Sequence, residues 1–265
     1  MANPIIPFVK ASACGNDFLL IDSSYRPSDA AQFTRRICDR HNGVGADGVE
    51  WIQPGSHGAD VEASLMNADG SPAEISGNGT RCVAAHWLSK HGGQQTMVRV
   101  LTGAGIKECR LIATAIPDYE FEMRIGVPEV REQLELHLKD GMVQGLKVWM
   151  GNPQFVVFVE NFDFPWQARG ADIQAQSAFP EGTNVDFVRI VSSAEIESRF
   201  FERGAGETQS SGTGSCASAV AAVFARDMQS PVTVKAPGGV QVVRWEKEVF
   251  LQGPARIVCE GKFFV

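Results

Sequence analysis

One motif occurs twice in the chain, and the distance between its two copies constrains the fold more than any other feature. A Ser-Gly-x-Gly turn begins at Ser76 and again at Ser211, and each is followed by one or two polar residues, a cysteine and small apolar residues. The two serines lie 135 positions apart (211 − 76), about half of the 265 residues. A repeat of this length predicts two halves of equivalent topology, each with one loop and one buried helix.

Small residues after each motif indicate where these helices lie. Alanines recur there, at positions 84, 85, 217, 221 and 222. Because small side chains let a helix approach its surroundings closely, we expect each helix to lie inside a sheet and not on the surface. Alternating apolar and polar segments at 120–125 and 155–159 favour strands between the two motifs.

The first residues predict regular elements around a glycine-rich loop. We expect strands at 7–10 and 18–21, then a helix that Ser28 caps and that ends near His41. Residues 42–48 contain too much glycine for a regular element and predict a loop. We place the first half at residues 1–126, completed by a C-terminal strand at 255–265, and the second half at 127–254.

Composition narrows the class of partner. The net charge of −7 and the pI near 5.3 give no basic footprint for nucleic acid or an anionic membrane. The N-terminus lacks the basic start and long apolar run of a secretory signal, and no apolar run approaches the length of a bilayer span. We therefore expect a cytoplasmic protein with reduced cysteines and a small-molecule partner. Cys38 and His41 form a CxxH without a second pair, so we expect no metal site.

The two glycine turns suggest a site for a small acid. A helix N-terminus presents unsatisfied N–H groups and a partial positive charge, and glycines remove side chains that would block approach. Two such turns on either side of one substrate suit inversion at a carbon, since one group removes a proton and another delivers one to the opposite face. Each turn alone is equally compatible with a tight helix entry. A nucleotide site is disfavoured, because neither turn has the spacing of a phosphate-binding loop.

Several further runs resemble the diaminopimelate epimerase family, and they occur in that family's order along the whole chain. The most specific is the Glu-Arg-Gly-Ala-Gly-Glu-Thr run at 202–208. The others are residues 13–18, 67–70, 77–82, 150–153, 184 and 237–239.

The resemblance implies an α+β fold of two pseudo-symmetric domains, each a curled mixed β-sheet wrapped around a central α-helix. It also implies a cofactor-independent isomerase that converts LL- to meso-diaminopimelate, a precursor of lysine and peptidoglycan, and it leaves a homodimer open. The residues that would hold the distal amino and carboxylate groups of the substrate are Asn16, Asn67, Asn152, Asn184, Glu202 and Arg203. The residues whose backbone N–H groups would hold the carboxylate at the reacting end are Gly77, Asn78, Gly212 and Thr213.

The chain departs from the family at the reacting groups. The family's two catalytic thiols precede the glycines, and those positions are Ser76 and Ser211 here. A helix N-terminus brings the pKa of a thiol towards neutrality, whereas a serine acts as a base only if a neighbour takes its proton. A histidine that the family carries after its Gly-Asn-Pro turn is Gln154 here, and an amide cannot take up a proton.

Three hypotheses follow. The first is an isomerase acting on diaminopimelate or another amino acid, with Ser76 and Ser211 in the thiol positions and Glu202 or Glu207 as the source of basicity. The second is an isomerase or lyase on another small acid that uses a carboxylate base. The third is a protein that binds an amino acid without turning it over, whether natural or a cysteine-to-serine trap.

Overall fold

The computed structural model describes residues 5–92 and 94–265, and the chain divides into two compact units. The first runs to Met123 and is completed by Gly253–Val265, and the second is Arg124–Gln252. The helices are α1 (Ala30–Cys38), α2 (Gly77–His91), α3 (Trp166–Gln174) and α4 (Gly212–Arg226), with a 3-10 turn at Ser23–Tyr25. The strands up to the middle of the chain are β1 (Ile5–Ala13), β2 (Asn16–Asp22), β3 (Gly48–Pro54), β4 (Val61–Asn67), β5 (Pro72–Ala73), β6 (Met97–Thr102), β7 (Gly105–Ala115) and β8 (Asp118–Gly126). The remaining strands are β9 (Glu129–Leu138), β10 (Gly141–Trp149), β11 (Pro153–Phe158), β12 (Asn184–Ser192), β13 (Glu195–Glu202), β14 (Gly206–Thr208), β15 (Val232–Ala236), β16 (Gly239–Trp245) and β17 (Val249–Phe264).

The sheet of the first unit mixes parallel and antiparallel pairs. Strand β1 pairs antiparallel with β2, β2 parallel with β3, and β3 antiparallel with β4. Strand β4 pairs parallel with β6 and antiparallel with the short β5, and β6 continues antiparallel to β7. The C-terminal part of β17 pairs antiparallel with β1, which is how the end of the chain completes this unit.

The second unit repeats this topology strand by strand. Strand β10 pairs antiparallel with β11, β11 parallel with β12, and β12 antiparallel with β13. Strand β13 pairs parallel with β15 and antiparallel with the short β14, and β15 continues antiparallel to β16. The predicted α+β fold with two pseudo-symmetric halves is confirmed.

One alanine-rich helix occupies the centre of each unit. Helix α2 packs against β1, β2, β3, β4, β6 and β7, and α4 packs against β10, β11, β12, β13, β15 and β16. These are equivalent strands of the two sheets. In α4, residues from Gly214 to Ala222 are buried, and Ala217, Ala221 and Ala222 have no exposed surface. The expectation that the sheets wrap around these helices is confirmed.

The outer helix of the first unit corrects one detail of the sequence analysis. Asp29 caps α1, and its side chain accepts a hydrogen bond from Gln32 N at 2.9 Å, so Ser28 is not the capping residue. Both residue types suit the position, and the side chain one residue further along reaches the N–H group. Phe33, Ile37 and Cys38 are buried on the inner face of α1 as expected. In the described ranges, every helix is too short or too polar to cross a bilayer.

Because α4 is tightly packed inside its sheet, a larger side chain on its buried face should lower the free energy of unfolding. Ala221→Leu should lower the free energy of unfolding by about 1–3 kcal/mol, since the added carbons meet a filled core. Ala225→Leu on the exposed part of the same helix is the control and should change it by less than about 0.5 kcal/mol. Urea unfolding followed by circular dichroism measures both changes. Equal stability of the two variants would contradict the tight packing of the sheet around α4.

Candidate active site

Ser76 is the N-cap residue of α2, as the sequence predicted. Its backbone is extended (φ −123°, ψ 124°), and its Oγ accepts a hydrogen bond from Gly79 N at 3.1 Å. The backbone N and the side-chain hydroxyl of Thr80 both donate to the Ser76 carbonyl at 2.8 Å. The side chain of Ser76 is therefore held at the end of the helix where the N–H groups of the first turn point outward.

Ser211 caps α4 in the same way, but its hydroxyl has one more partner. The backbone is extended (φ −135°, ψ 124°), and Oγ accepts from Gly214 N at 3.1 Å. The hydroxyl donates to Glu202 Oε1 at 2.8 Å. A serine beside a carboxylate has a group to which its proton can pass, which is what a serine needs to act as a base.

A network of amides lies beside Ser76. Asn78 Nδ2 donates to Asn16 Oδ1 at 2.7 Å, and Asn16 Nδ2 donates to Asp47 Oδ2 at 3.1 Å. The guanidinium of Arg81, which is fully buried, donates to Asn78 Oδ1 and, at 3.1 Å, to the carbonyl of Pro254. The structure thus brings together Asn16 and Asn78 from the predicted set.

Asn67 does not join that network through its side chain. It lies at the end of β4 and is exposed, and its Nδ2 donates to Ser71 Oγ at 3.0 Å. Its position on β4 is that of Glu202 on β13, because each is the last residue of its strand and the two are 135 positions apart (202 − 67). The two units therefore place an amide and a carboxyl at equivalent positions.

A second amide network lies at the start of α4. Gln154 Nε2 donates to Asn152 Oδ1 at 2.8 Å and to Thr213 Oγ1 at 3.1 Å, and Asn152 Nδ2 donates to Thr213 Oγ1 at 3.3 Å. Gln154 is buried, and its Oε1 has no hydrogen-bond partner among the described residues. In this protein the residue at the family's histidine position supplies hydrogen-bond donors that position the first turn of α4.

The remaining predicted residues surround the end of β13. Asn184 Oδ1 accepts from the backbone N of Arg203 at 2.9 Å, and its Nδ2 donates to the Pro153 carbonyl at 3.1 Å. The exposed guanidinium of Arg203 donates to the carbonyl of Glu181. Glu207 is exposed and accepts from Gln167 Nε2 at 3.1 Å, so the carboxyl that bonds Ser211 is Glu202 and not Glu207.

Two buried carboxyl groups, absent from the sequence analysis, lie beneath the two serine turns. Glu50 on β3 is 3% exposed, and Asp186 on β12 has no exposed surface. Neither oxygen of Asp186 has a hydrogen-bond partner in the part of the chain that the structure describes. These groups occupy equivalent strands, since β3 and β12 are each parallel to one neighbour and antiparallel to the other.

Burial changes the protonation of both groups. It raises the pKa of Glu50 from 4.5 to about 8. Burial, and next the nearby Glu202 carboxyl, raise the pKa of Asp186 well above its usual value. Burial therefore favours the protonated form of both carboxyls, because removing water disfavours the charged form.

A local signal for both residues exists in the sequence. Glu50 interrupts the apolar stretch at 49–52, and Asp186 interrupts the one at 185–188. A charged residue inside a buried strand is rarely tolerated without a role or a partner. The motifs that carry the family resemblance lie in the loops, so neither of these strand residues was among the predicted site residues.

Known proteins resemble the chain along its whole length. The family model for diaminopimelate epimerase matches residues 8–123 and 147–258. A diaminopimelate epimerase from Pelotomaculum thermopropionicum is 36% identical over 275 residues, which cover 97% of this chain and 98% of that protein. Diaminopimelate epimerase 1 from a Nostoc species is 36% identical over 280 residues, which cover 97% of this chain and 99% of that protein.

Solved structures share the fold at low sequence identity. A hydroxyproline epimerase from Agrobacterium vitis, with bound trans-4-hydroxy-L-proline, superposes with a TM-score of 0.69 at 15% identity and covers 99% of this chain and 92% of that one. A phenazine biosynthesis protein from Bacillus anthracis superposes with a TM-score of 0.72 at 15% identity and covers 99% of this chain and 100% of that one.

The duplicated sheet-and-helix fold of this chain is therefore one that the hydroxyproline epimerase and the phenazine biosynthesis protein also have. The family model and the full-length relatives show that the chain belongs to the diaminopimelate epimerase family, and therefore to a family of isomerases.

The raised pKa of Glu50 predicts a pH-dependent stability difference. The folded protein keeps the Glu50 proton between about 4.5 and about 8, where the unfolded chain has lost it. The parent should therefore lose stability relative to Glu50→Gln as pH rises through this window, at up to about 1.4 kcal/mol per pH unit for one proton. Above the window the difference should stay constant.

Urea unfolding of both proteins between pH 4 and 9 measures this difference. Glu246→Gln makes the same chemical change at an exposed position and should run parallel to the parent. Parallel curves for the parent and Glu50→Gln would show that Glu50 is ionised in the folded protein at neutral pH.

Proposed function

We propose that this protein is a cofactor-independent epimerase of diaminopimelate in which Ser76 and Ser211 take the roles of the family's two catalytic thiols. The observation that carries the proposal is the hydrogen bond from Ser211 to Glu202 at 2.8 Å, because it gives one serine a base in place of the missing thiol. The family match and the names of the full-length relatives support diaminopimelate as the substrate.

In this proposal Ser211 Oγ takes the α-proton while its own hydroxyl proton passes to Glu202. The serine is neutral before and after the transfer, so no free alkoxide has to form at neutral pH. The N–H groups of the first helical turns, at Gly77 and Asn78 and at Gly212 and Thr213, bind the substrate carboxylate and stabilise the charge that develops on it.

The polar residues around the two turns would recognise the distal end of the substrate. Asn16, Asn67, Asn152 and Asn184 offer amides, and the guanidinium of Arg203 is suited to a second carboxylate. The proposal places the reaction in the cytoplasm, as part of lysine and peptidoglycan precursor synthesis.

Incubation with LL- or meso-diaminopimelate in deuterated water tests the function. The parent should incorporate deuterium at the α-carbon and interconvert the two forms. Ser211→Ala and Glu202→Gln should each lower both rates by about 100-fold, since each removes one part of the base.

Glu197→Gln is the matched control for that experiment. Glu197 lies on the same strand as Glu202, and its carboxylate pairs with Arg189 at 2.9 Å, so this variant should retain the parent rates. A parent that binds diaminopimelate without exchange would favour a binding protein. Exchange only on another amino or hydroxy acid would favour a different isomerase.

Restoring the thiols should raise the epimerase rate. In the Ser76→Cys, Ser211→Cys double variant each helix N-terminus would lower the pKa of a thiol, which makes a better base than a serine hydroxyl. Either single variant should gain much less, because inversion needs a working group on both faces, and adding Gln154→His should raise the rate further. Rates of exchange and interconversion for the singles, the double and the triple measure this. Double and triple variants that bind diaminopimelate but work no faster than the parent would show that the thiols are not what limits the site.

A further inference from the structure

The two serines have different proton partners in the two units. Ser211 donates to Glu202 at the end of β13, but the equivalent position at the end of β4 is Asn67. An amide cannot take up or release a proton in the working range of an enzyme. A two-sided proton transfer therefore needs another ionisable group near Ser76.

Glu50 is the carboxyl that the fold places beneath Ser76. Along β3 the side chains alternate, and Val49 and Trp51 belong to the core against α1, so Glu50 faces the opposite side, towards α2. Its partners in register on the neighbouring strands are Leu20 and Leu65, both buried. The carboxyl thus projects from an apolar row towards the start of the central helix.

Its contact with the serine turn is close. A β-carbon built on Gly79 would lie 2.2 Å from Glu50 Oε1 and 3.2 Å from the β-carbon of Ser76. The carboxyl and the serine side chain therefore border the same space, which is open because residue 79 is glycine. In the second unit Asp186 Oδ1 lies 2.7 Å from the corresponding position on Gly214, so the arrangement is a feature of both halves.

No buried base competes for the proton of Glu50 along the packed face of α2. The charged or titratable residues among the buried part of that helix are Arg81 and Cys82. Arg81 is bound to Asn78 and to the Pro254 carbonyl, and burial raises the pKa of the Cys82 thiol, which keeps it neutral. The strand neighbours on either side of Glu50 are the leucines named above.

We propose that Glu50 restores the proton of Ser76, so that Ser76 acts as the acid while Ser211, with Glu202, acts as the base. The inference rests on the proposed function and adds to it the direction of proton flow. Because Glu50 acts through Ser76, it is a positioning residue and does not contact the substrate.

The protons of one turnover balance once solvent resets the two carboxyls. The bond from the α-carbon to its hydrogen breaks as Ser211 Oγ binds that proton, and the former Ser211 proton moves to Glu202. The Ser76 hydroxyl proton forms the new bond to the α-carbon, and the proton of Glu50 moves to Ser76 Oγ. Glu202 gains one proton and Glu50 loses one. The opposite reaction reverses every step, and before another turnover in the same direction Glu202 releases its proton to solvent and Glu50 takes one up. A pair of carboxyls with different environments is how proteins separate acid and base roles.

Glu50→Gln tests this because glutamine has a similar shape and no transferable proton. With diaminopimelate in deuterated water, inversion should fall about 100-fold or more. The epimer that Ser211 deprotonates should still exchange its α-proton for deuterium with retention of configuration, since Ser211 keeps its base. The other epimer depends on Ser76, so its exchange should be as slow as its inversion. In the direction in which Ser76 donates its proton, the parent should lose inversion above about pH 8, where Glu50 ionises, and the variant should lack this limb.

Two further variants separate proton transfer from structure. Ser76→Ala should reproduce the exchange of one epimer with retention, and Glu50→Asp, which keeps the acid, should recover part of the inversion. The outcome that overturns the proposal is a Glu50→Gln protein that inverts as fast as the parent, or one that loses exchange of both epimers equally. A parent without any exchange removes the proposed function and this inference with it, whereas an active parent with an unaffected Glu50→Gln variant removes the inference alone.

Discussion

The close approach of one small-residue helix to the sheet around it is the constraint on which each unit depends. Ala217, Ala221 and Ala222 are fully buried on α4, and any larger side chain there would push the surrounding strands apart. Because the helix lies inside its sheet, its N-terminus opens at a fixed place relative to the strand ends. That is why the residue at the end of β13, Glu202, meets the hydroxyl of Ser211.

The same constraint explains the glycine three residues after each serine. At Gly79 and Gly214 the helix backbone lies against the middle strand of the sheet, and a β-carbon would collide with Glu50 in one unit and with Asp186 in the other. By contrast, Gly77 has open space where its β-carbon would be. Gly77 therefore leaves open space at the end of α2, and the second glycine of each motif leaves room for a buried carboxyl.

The motif and its spacing were sufficient to predict the two-fold repetition, the central helices and a serine turn at the start of each helix. These features depend on local residue types: a serine cap, glycines in a turn and alanines in a helix. The sequence could not show which polar side chains meet, because that depends on strand register. Asn67 and Glu202 illustrate this, since their equivalence is visible only once each is seen as the last residue of a paired strand. The contacts of Glu50 and Asp186 with the serine turns could not be predicted for the same reason, because they join residues distant in the chain.

When serines replace the thiols, proton transfer depends on the groups beside the hydroxyl more than on the hydroxyl itself. A helix N-terminus brings the pKa of a thiol towards neutrality, so a thiol depends less than a serine on its neighbours to act as a base. A serine hydroxyl stays protonated under the same field, and its use as a base or acid requires a carboxyl that gains or loses the proton in the same step. This chain has such carboxyls at both turns, one hydrogen-bonded to Ser211 and one buried beside Ser76. Gln154 is consistent with that arrangement, since its amide holds Asn152 and Thr213 in place and leaves proton transfer to the carboxyls. On this reasoning the two serines and the glutamine depart from the family pattern together, and in the proposed mechanism Glu202 and Glu50 carry the protons that a serine cannot exchange alone.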